Sequence, residues 1–227
     1  TDTAPGNLRA RLLVAADGGK SAVREMMGVA VTEKDYGQSA IIANVSVSRL
    51  KPNVAFERFT PSGPLAFLPL GDDRYSIVWT QRNADLEAYM SLSDTDFLCA
   101  LEDQFGGRLG RLSKVGKRGA YPLKLIHATQ QVQARVALIG NAAHTLHPIA
   151  GQGFNLGLRD VAALAQVVID SKRNDADIGD LKNLQSYADW RQQDQRRMID
   201  LTDTLVRVFS NDFAPLRLAR NAGLLLT

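Results

Sequence analysis

The chain has 227 residues, 45% hydrophobic and 22% charged, with one cysteine and a formal net charge of +3. A chain this long buries enough surface to fold without a disulfide or metal staple, and the lone Cys99 cannot form an internal disulfide, so a reducing, cytoplasmic setting is expected. No apolar stretch approaches the roughly 18 residues of a membrane-spanning helix, and the basic residues read as dispersed among acids, as in RQQDQRR (191–197), which argues against nucleic acid as a partner.

Residues 11–16, RLLVAA, read as a short buried strand without a visible partner. Asp17-Gly18-Gly19 breaks it, and SAVREMMG (21–28) reads as a short helix. From about 38 to 130 the pattern alternates with period two. AIIANVSVS (40–48), VAFERFT (54–60), PLAFLPL (64–70) and YSIVWT (75–80) read as antiparallel strands separated by turn signals. A helix over 91–107 interrupts them, with a capping pattern at Ser93 and Asp96 and a stop at Gly106-Gly107. Cys99 falls within it and reads as a core residue. One more strand, 119–132, carries Pro122 at an edge or bend. RVALIG (135–140) has the continuous apolar run of a strand buried on both faces. Helical patterns follow over about 153–171 and 181–209. The chain begins just before a buried strand and ends in AGLLLT, apolar and uncapped, and so reads as a piece of a larger protein.

The stretch VALIGNAAHTLHPIAGQGFNLGLRDVAAL (136–164) is the most informative. An apolar strand enters a glycine-rich loop that opens a helix. A helix N-terminus offers unpaired N–H groups and a positive dipole end, and glycine lets a ligand approach the backbone. The loop is neither a Walker motif nor G-x-G-x-x-G. His144 and His147 lack the neighbouring ligands of a metal site and read as structural or ligand-facing.

RLLVAADGGKSAVR (11–24) resembles the DG motif of class A flavoprotein monooxygenases, the p-hydroxybenzoate hydroxylase group, through Asp17, Gly18, Ser21 and Arg24. The 136–164 stretch resembles that family's second flavin motif through Gly140, Ala142, Ala143, His144, Pro148, Gly151, Gly153, Asn155 and Asp160. The two motifs occur in order with a β-rich segment between them, and the resemblance covers nearly the whole chain. FERFTPSGPLAFLPL (56–70), YSIVWT (75–80) and HTLHPIAGQGFNLGLRD (144–160) are similar to the ubiquinone-biosynthesis branch, the 2-octaprenyl-6-methoxyphenol hydroxylases most of all. Two departures stand out. Asn141 occupies the position of the family's aspartate, and the family's N-terminal G-x-G-x-x-G is not in this chain.

The resemblance implies a mixed α/β fold: a Rossmann-like FAD-binding domain missing its first βαβ unit, an inserted antiparallel substrate-binding sheet and C-terminal helices. The implied boundaries are 1–37 and 131–175 for the FAD domain, 38–130 for the sheet and 176–227 for the helical region. It implies FAD as cofactor, NAD(P)H and O2 as cosubstrates, and a polyprenylated phenol as the molecule hydroxylated. It assigns FAD contacts to Asp17, Gly18, Arg24, Gly140, Asn141, Ala142, Pro148, Gly151, Gly153, Phe154 and Asn155. It assigns pocket lining to Phe67, Leu68, Pro69, Val78 and Trp79, although Val78 and Trp79 must face opposite sides of a regular strand. Nothing in the sequence identifies a general base. A ubiquinone-biosynthesis protein complex and a peripheral contact with the inner membrane are further expected partners. A flavin reductase or halogenase on the same fold, separated by product analysis with and without O2, stays open. So does a non-catalytic interaction subunit, which would not bind flavin.

Overall fold

The computed structural model describes residues 8–209, so the AGLLLT end lies outside the described residues. The chain forms two compact units. One gathers the residues before Asp35 with Lys124–Leu201; the other gathers Asp35–Leu123 and continues from Thr202. Each is described by itself.

In the second unit, β2 (Val31–Val47) pairs antiparallel with β5 (Arg74–Arg82), β5 with β4 (Gly63–Gly71), and β4 with β3 (Phe56–Thr60). Strand β6 (Leu112–Val115) lies against β2. The register aligns Ile41, Trp79 and Leu65 in one row and Ala43, Ile77 and Phe67 in another, all on one face. Helix α3 (Asp94–Phe105) covers that face with Phe97, Leu98, Leu101 and Phe105. Phe67 and Phe105 stack with centroids 4.1 Å apart, and Trp79 meets Phe97 edge-on at 5.5 Å. Burying side chains of this size stabilises the unit by about 2–3 kcal/mol each.

The capping pattern forms as expected: Ser93 Oγ accepts the Asp96 N–H at 3.1 Å, and Gly106 (φ 84°) ends the helix. Cys99 is exposed, which corrects the core assignment. The buried stripe runs through positions 97, 98, 101 and 105 and leaves 99 on the outer face. Helix α2 (Asn83–Met90) is unannounced in the sequence; it has no side-chain cap and buries no residue fully.

In the first unit, β1 (Leu13–Ala15) pairs parallel with β9 (Val136–Leu138), and β9 pairs antiparallel with β8 (Val132–Gln133). RLLVAA therefore has a partner, supplied from far along the chain. Leu13 and Val14 are nevertheless 48% and 40% exposed, because among the described residues only β9 pairs with β1. Strand β10 (His144–Thr145) pairs with the end of β7 (Gly119–Ala128), aligning His144 with His127. Helix α1 (Ala22–Met26) follows β1, and α4 (Gln152–Arg173) and α5 (Leu181–Phe209) complete the unit. Ala137 and Ile139 pack with Ala163 and Leu164 of α4 and Leu184 and Tyr187 of α5. The Tyr187 hydroxyl donates to the Leu138 carbonyl at 3.1 Å, tying α5 to β9. Among the described residues no helix is long and apolar enough to cross a membrane.

Candidate functional site

Strand β9 leads into a 3-10 turn at Gly140–Ala142, then β10, then Pro148 and a second 3-10 turn at Ile149–Gly151, and so into α4. Gly140 (φ 55°) and Gly151 (φ 61°) adopt the left-handed conformation that glycine takes without strain. Helix and loop touch backbone to backbone: a Cβ on Gly157 would lie 3.3 Å from the Gly140 Cα. Beside this contact lies a largely apolar cavity of about 600 Å³. Its lining includes Ala16 and Gly18 after β1, Ile139, Gly140 and Asn141 after β9, Thr145, Leu146 and Pro148 in the loop, and Gly151, Gly153, Phe154, Gly157, Leu158 and Val161 at the start of α4. No side chain caps α4 at Gly151, so no side chain competes with a ligand for the N–H groups at the start of the helix. With the helix dipole they favour an anionic or electron-rich group.

A buried polar network holds the loop. Asp160 of α4 is fully buried and takes four hydrogen bonds. Its Oδ2 receives the Gly140 N–H (3.1 Å) and pairs with His144 Nε2 (2.6 Å). Its Oδ1 receives Arg191 Nε (2.8 Å) and Gln195 Nε2 (3.0 Å) from α5. Burial pushes the Asp160 carboxyl up, but the bonds from His144, Arg191 and Gln195 together hold it below its ordinary value. Arg191 Nη1 also reaches Asp194 at 2.7 Å. His144 is thus a structural strut, as its sequence context indicates. His147, likewise buried, is pushed down by burial to about 4.

The loop after β1 is fixed separately. Asp17 Oδ2 accepts the Val23 N–H at 3.2 Å. The Ser21 hydroxyl and that N–H hold the Asp17 carboxyl below the usual range. Arg24 is 6% exposed. Its Nη1 donates to the Ala142 carbonyl (2.9 Å) and its Nη2 to the Gly19 carbonyl (2.8 Å). The guanidinium therefore clamps the two motif loops together.

The structure brings Gly18, Gly140, Asn141, Pro148, Gly151, Gly153 and Phe154 around one cavity. It leaves Asp17, Arg24, Ala142 and Asn155 off the lining. The Ala142 side chain is packed into the core and its carbonyl is taken by Arg24, so neither faces the cavity. Arg24 spends two of its five N–H donors on the two loop carbonyls. Sequence reasoning missed Leu158 and Val161, which follow Phe154 at helical spacing. It also missed Arg191 and Gln195, which carry no motif. In the second unit Phe67 and Trp79 are fully buried in the aromatic core, which corrects their assignment as pocket lining. Pro69 is opposite Tyr75 on the same face. Alternation leaves Leu68 and Val78 on the other face, in neighbouring rows with Ala66 and Ile42.

Comparison with known proteins agrees with this geometry. A family model described as FAD binding domain matches residues 1–202. Ubiquinone hydroxylase UbiL of Rhodospirillum rubrum is 44% identical over 217 residues, covering 96% of this chain and 51% of that protein. The 3-demethoxyubiquinol 3-hydroxylase of Escherichia coli is 38% identical, covering 96% and 56%. The chain spans about half the length of these relatives. The crystal structure of pqsL from Pseudomonas aeruginosa, a probable FAD-dependent monooxygenase, aligns with a TM-score of 0.73 at 22% identity, covering 91% of this chain and 58% of that one. The glycine-lined cavity, its helix N-terminus and the family match converge: the chain belongs to the FAD binding domain family, on the mixed α/β fold of the flavoprotein monooxygenases.

Proposed function

We propose that this chain supplies the flavin-facing loop and the substrate sheet of an aromatic hydroxylase that uses FAD, NAD(P)H and O2 to act on a polyprenylated phenol in ubiquinone biosynthesis. The carrying observation is the cavity at the start of α4, where apolar walls meet a helix N-terminus that no side chain caps. The residues present fit a flavin. Gly18, Gly140 and Gly151 keep side chains out of its path, and Phe154, Leu158 and Val161 offer an apolar bed for a planar ring system. The N–H groups at 152–154 would hold the edge of the ring that gains negative charge on reduction. Bound FAD would supply the transfer of electrons from NAD(P)H and the activation of O2. Asn141 would keep an acceptor and add a donor where the family carries a carboxylate. The protein's part is to orient the ring, exclude water and present the phenol.

On the second unit we place the substrate against the sheet face carrying Leu68, Val78, Ala66 and Ile42, opposite the packed core. Leu68 is 43% exposed there, apolar surface suited to a prenyl chain. Membership of a biosynthetic complex is part of the same proposal. The test is the visible spectrum of the full-length protein after incubation with FAD and desalting, followed by NAD(P)H oxidation with a prenylated phenol under air. Retained flavin and a product heavier by one oxygen atom are expected. Loss of all flavin on desalting refutes the hydroxylase reading. Flavin-dependent NAD(P)H oxidation without oxygenated product moves the assignment to a reductase.

A further inference from the structure

The sequence reading of dispersed charge overlooks one segment. GGRLGRLSKVGKRG (106–119) carries Arg108, Arg111, Lys114, Lys117 and Arg118 and no acid. The spacing of three hides it from a search for charge blocks. No Asp or Glu occurs between Asp103 and Asp160. The fold concentrates these cations further. Arg49 N–H donates to the Leu109 carbonyl and Ser48 N–H to the Arg111 carbonyl, both at 2.9 Å, so the 48–54 loop lies beside the 107–111 loop. Lys114 is opposite Ser46 on the outer strand β6. The Lys51 carbonyl is fixed by the Tyr75 hydroxyl at 2.8 Å, and Val47 N–H reaches the Asp73 carbonyl of the β4–β5 hairpin at 2.8 Å. One end of the second unit's sheet therefore gathers Arg49, Lys51, Arg108, Arg111 and Lys114, all exposed.

Arg118 pairs with Asp94 at 3.0 Å and Arg74 with Asp72 at 3.8 Å, but none of those five cations has a carboxylate partner among the described residues. The acids near them are Glu102, whose Oε1 accepts the Leu112 N–H beside Arg111, Glu57, which lines a small pocket with Arg108, and Asp72 and Asp73 in the hairpin. Two apolar side chains flank the cations: Val54 at 43% exposure in the 48–54 loop and Leu70 at 49% beside the hairpin. Residues 107–118 contain no aromatic to stack on bases, so the pattern does not suit single-stranded nucleic acid.

We infer that this end of the second unit docks on a bilayer containing anionic phospholipid. Cations spread over two loops and strand β6 match a diffuse negative surface, and each gains free energy only within about a Debye length of it. Val54 and Leu70 are placed to enter the headgroup layer, which an acidic protein surface would not require. The biological sense rests on the proposed prenylated, lipid-resident substrate; the binding itself does not.

The test is flotation of the full-length protein with vesicles of phosphatidylcholine alone and with 30% phosphatidylserine, neither containing a quinone precursor. Binding to the anionic vesicles and release by added NaCl are expected. The triple variant Arg108→Glu, Arg111→Glu, Lys114→Glu should lose at least about tenfold in partitioning. A control, Lys172→Glu with Arg173→Glu on the exposed part of α4, should stay within about twofold of wild type. Should the triple variant fail to fold by circular dichroism, Arg111→Gln with Lys114→Gln and the salt titration of the wild type replace it. Equal binding to neutral vesicles overturns the inference, as does unchanged binding by the folded variant. Retention on immobilised polyglutamate without any vesicle binding also overturns it, in favour of an acidic protein partner. Flavin retention is measured in parallel, so failure of the hydroxylase reading is seen separately.

Discussion

Replacing Asp160 by Asn tests whether the buried network holds the flavin loop. The substitution conserves shape but removes the charge and turns one oxygen into a donor. Four donors converge on that carboxylate, two on each oxygen, so the new NH2 must face donors on one side. Breaking a buried ion pair by removing one partner costs about 3–5 kcal/mol. Asp194 still pairs with Arg191 at 2.7 Å, so the low end, about 3 kcal/mol, is expected. For a chain of this size that lowers Tm by about 6–12 °C. Thermal denaturation followed by circular dichroism at pH 7 measures it. Arg191→Met alone should also destabilise, by stranding the carboxylate, and the double variant should lose clearly less than the sum of the two. Flavin retention should fall with Asp160→Asn, because Gly140 and His144 lose their anchor. A Tm within about 2 °C of wild type, or strict additivity in the double variant, would refute the argument.

Arg24→Ala should lower Tm by about 4–8 °C through two orphaned carbonyls. A variant that melts normally and loses only NAD(P)H-driven flavin reduction would instead support a ligand-contact role for Arg24. Gly157→Ala should reduce flavin retention several-fold, since its Cβ must push the Gly140 backbone away, whereas Gly151→Ala meets open space and costs about 1 kcal/mol of backbone strain. Comparing the two by absorbance after desalting separates crowding from strain, and equal losses sink the close-contact argument. His147 has a folded pKa of about 4, below the ordinary 6.5, so its contribution is complete above pH 6.5 and is lost as pH falls from there toward 4, where the unfolded chain alone takes the proton. Urea midpoints across that range should fall for wild type and fall less for His147→Gln; parallel curves count against the burial argument.

Periodicity and capping made much of the frame legible. Helix α5 has the bounds its apolar spacing implies, and α3 starts and stops on the residues that cap it. Helix α2 was not legible, because Leu86, Tyr89 and Met90 pack only partly against the core and no cap marks its start. The glycines of the cavity announced themselves, since positive φ and close approach select that residue. Alternation in β4 and β5 limited which residues could share a face, but only the position of α3 decides which face is core, so Phe67 and Trp79 were misplaced. Arg191 and Gln195 look like surface residues of a polar helix. Their burial follows from a long-range contact with Asp160 that spacing along the chain does not encode.

The first unit is assembled from two separated pieces, and this sets an order on its synthesis. Strand β1 leaves the ribosome early, yet its partner β9 follows only after the whole Asp35–Leu123 stretch has been made. At about 5–20 residues per second the wait is roughly 6–25 s. The second unit's Asp35–Leu123 part is continuous and holds β3 to β6, which can pair into a sheet with β2 in the meantime. Through that interval RLLVAA is a nascent apolar strand whose β9-facing edge is uncovered, a stage exposed to aggregation.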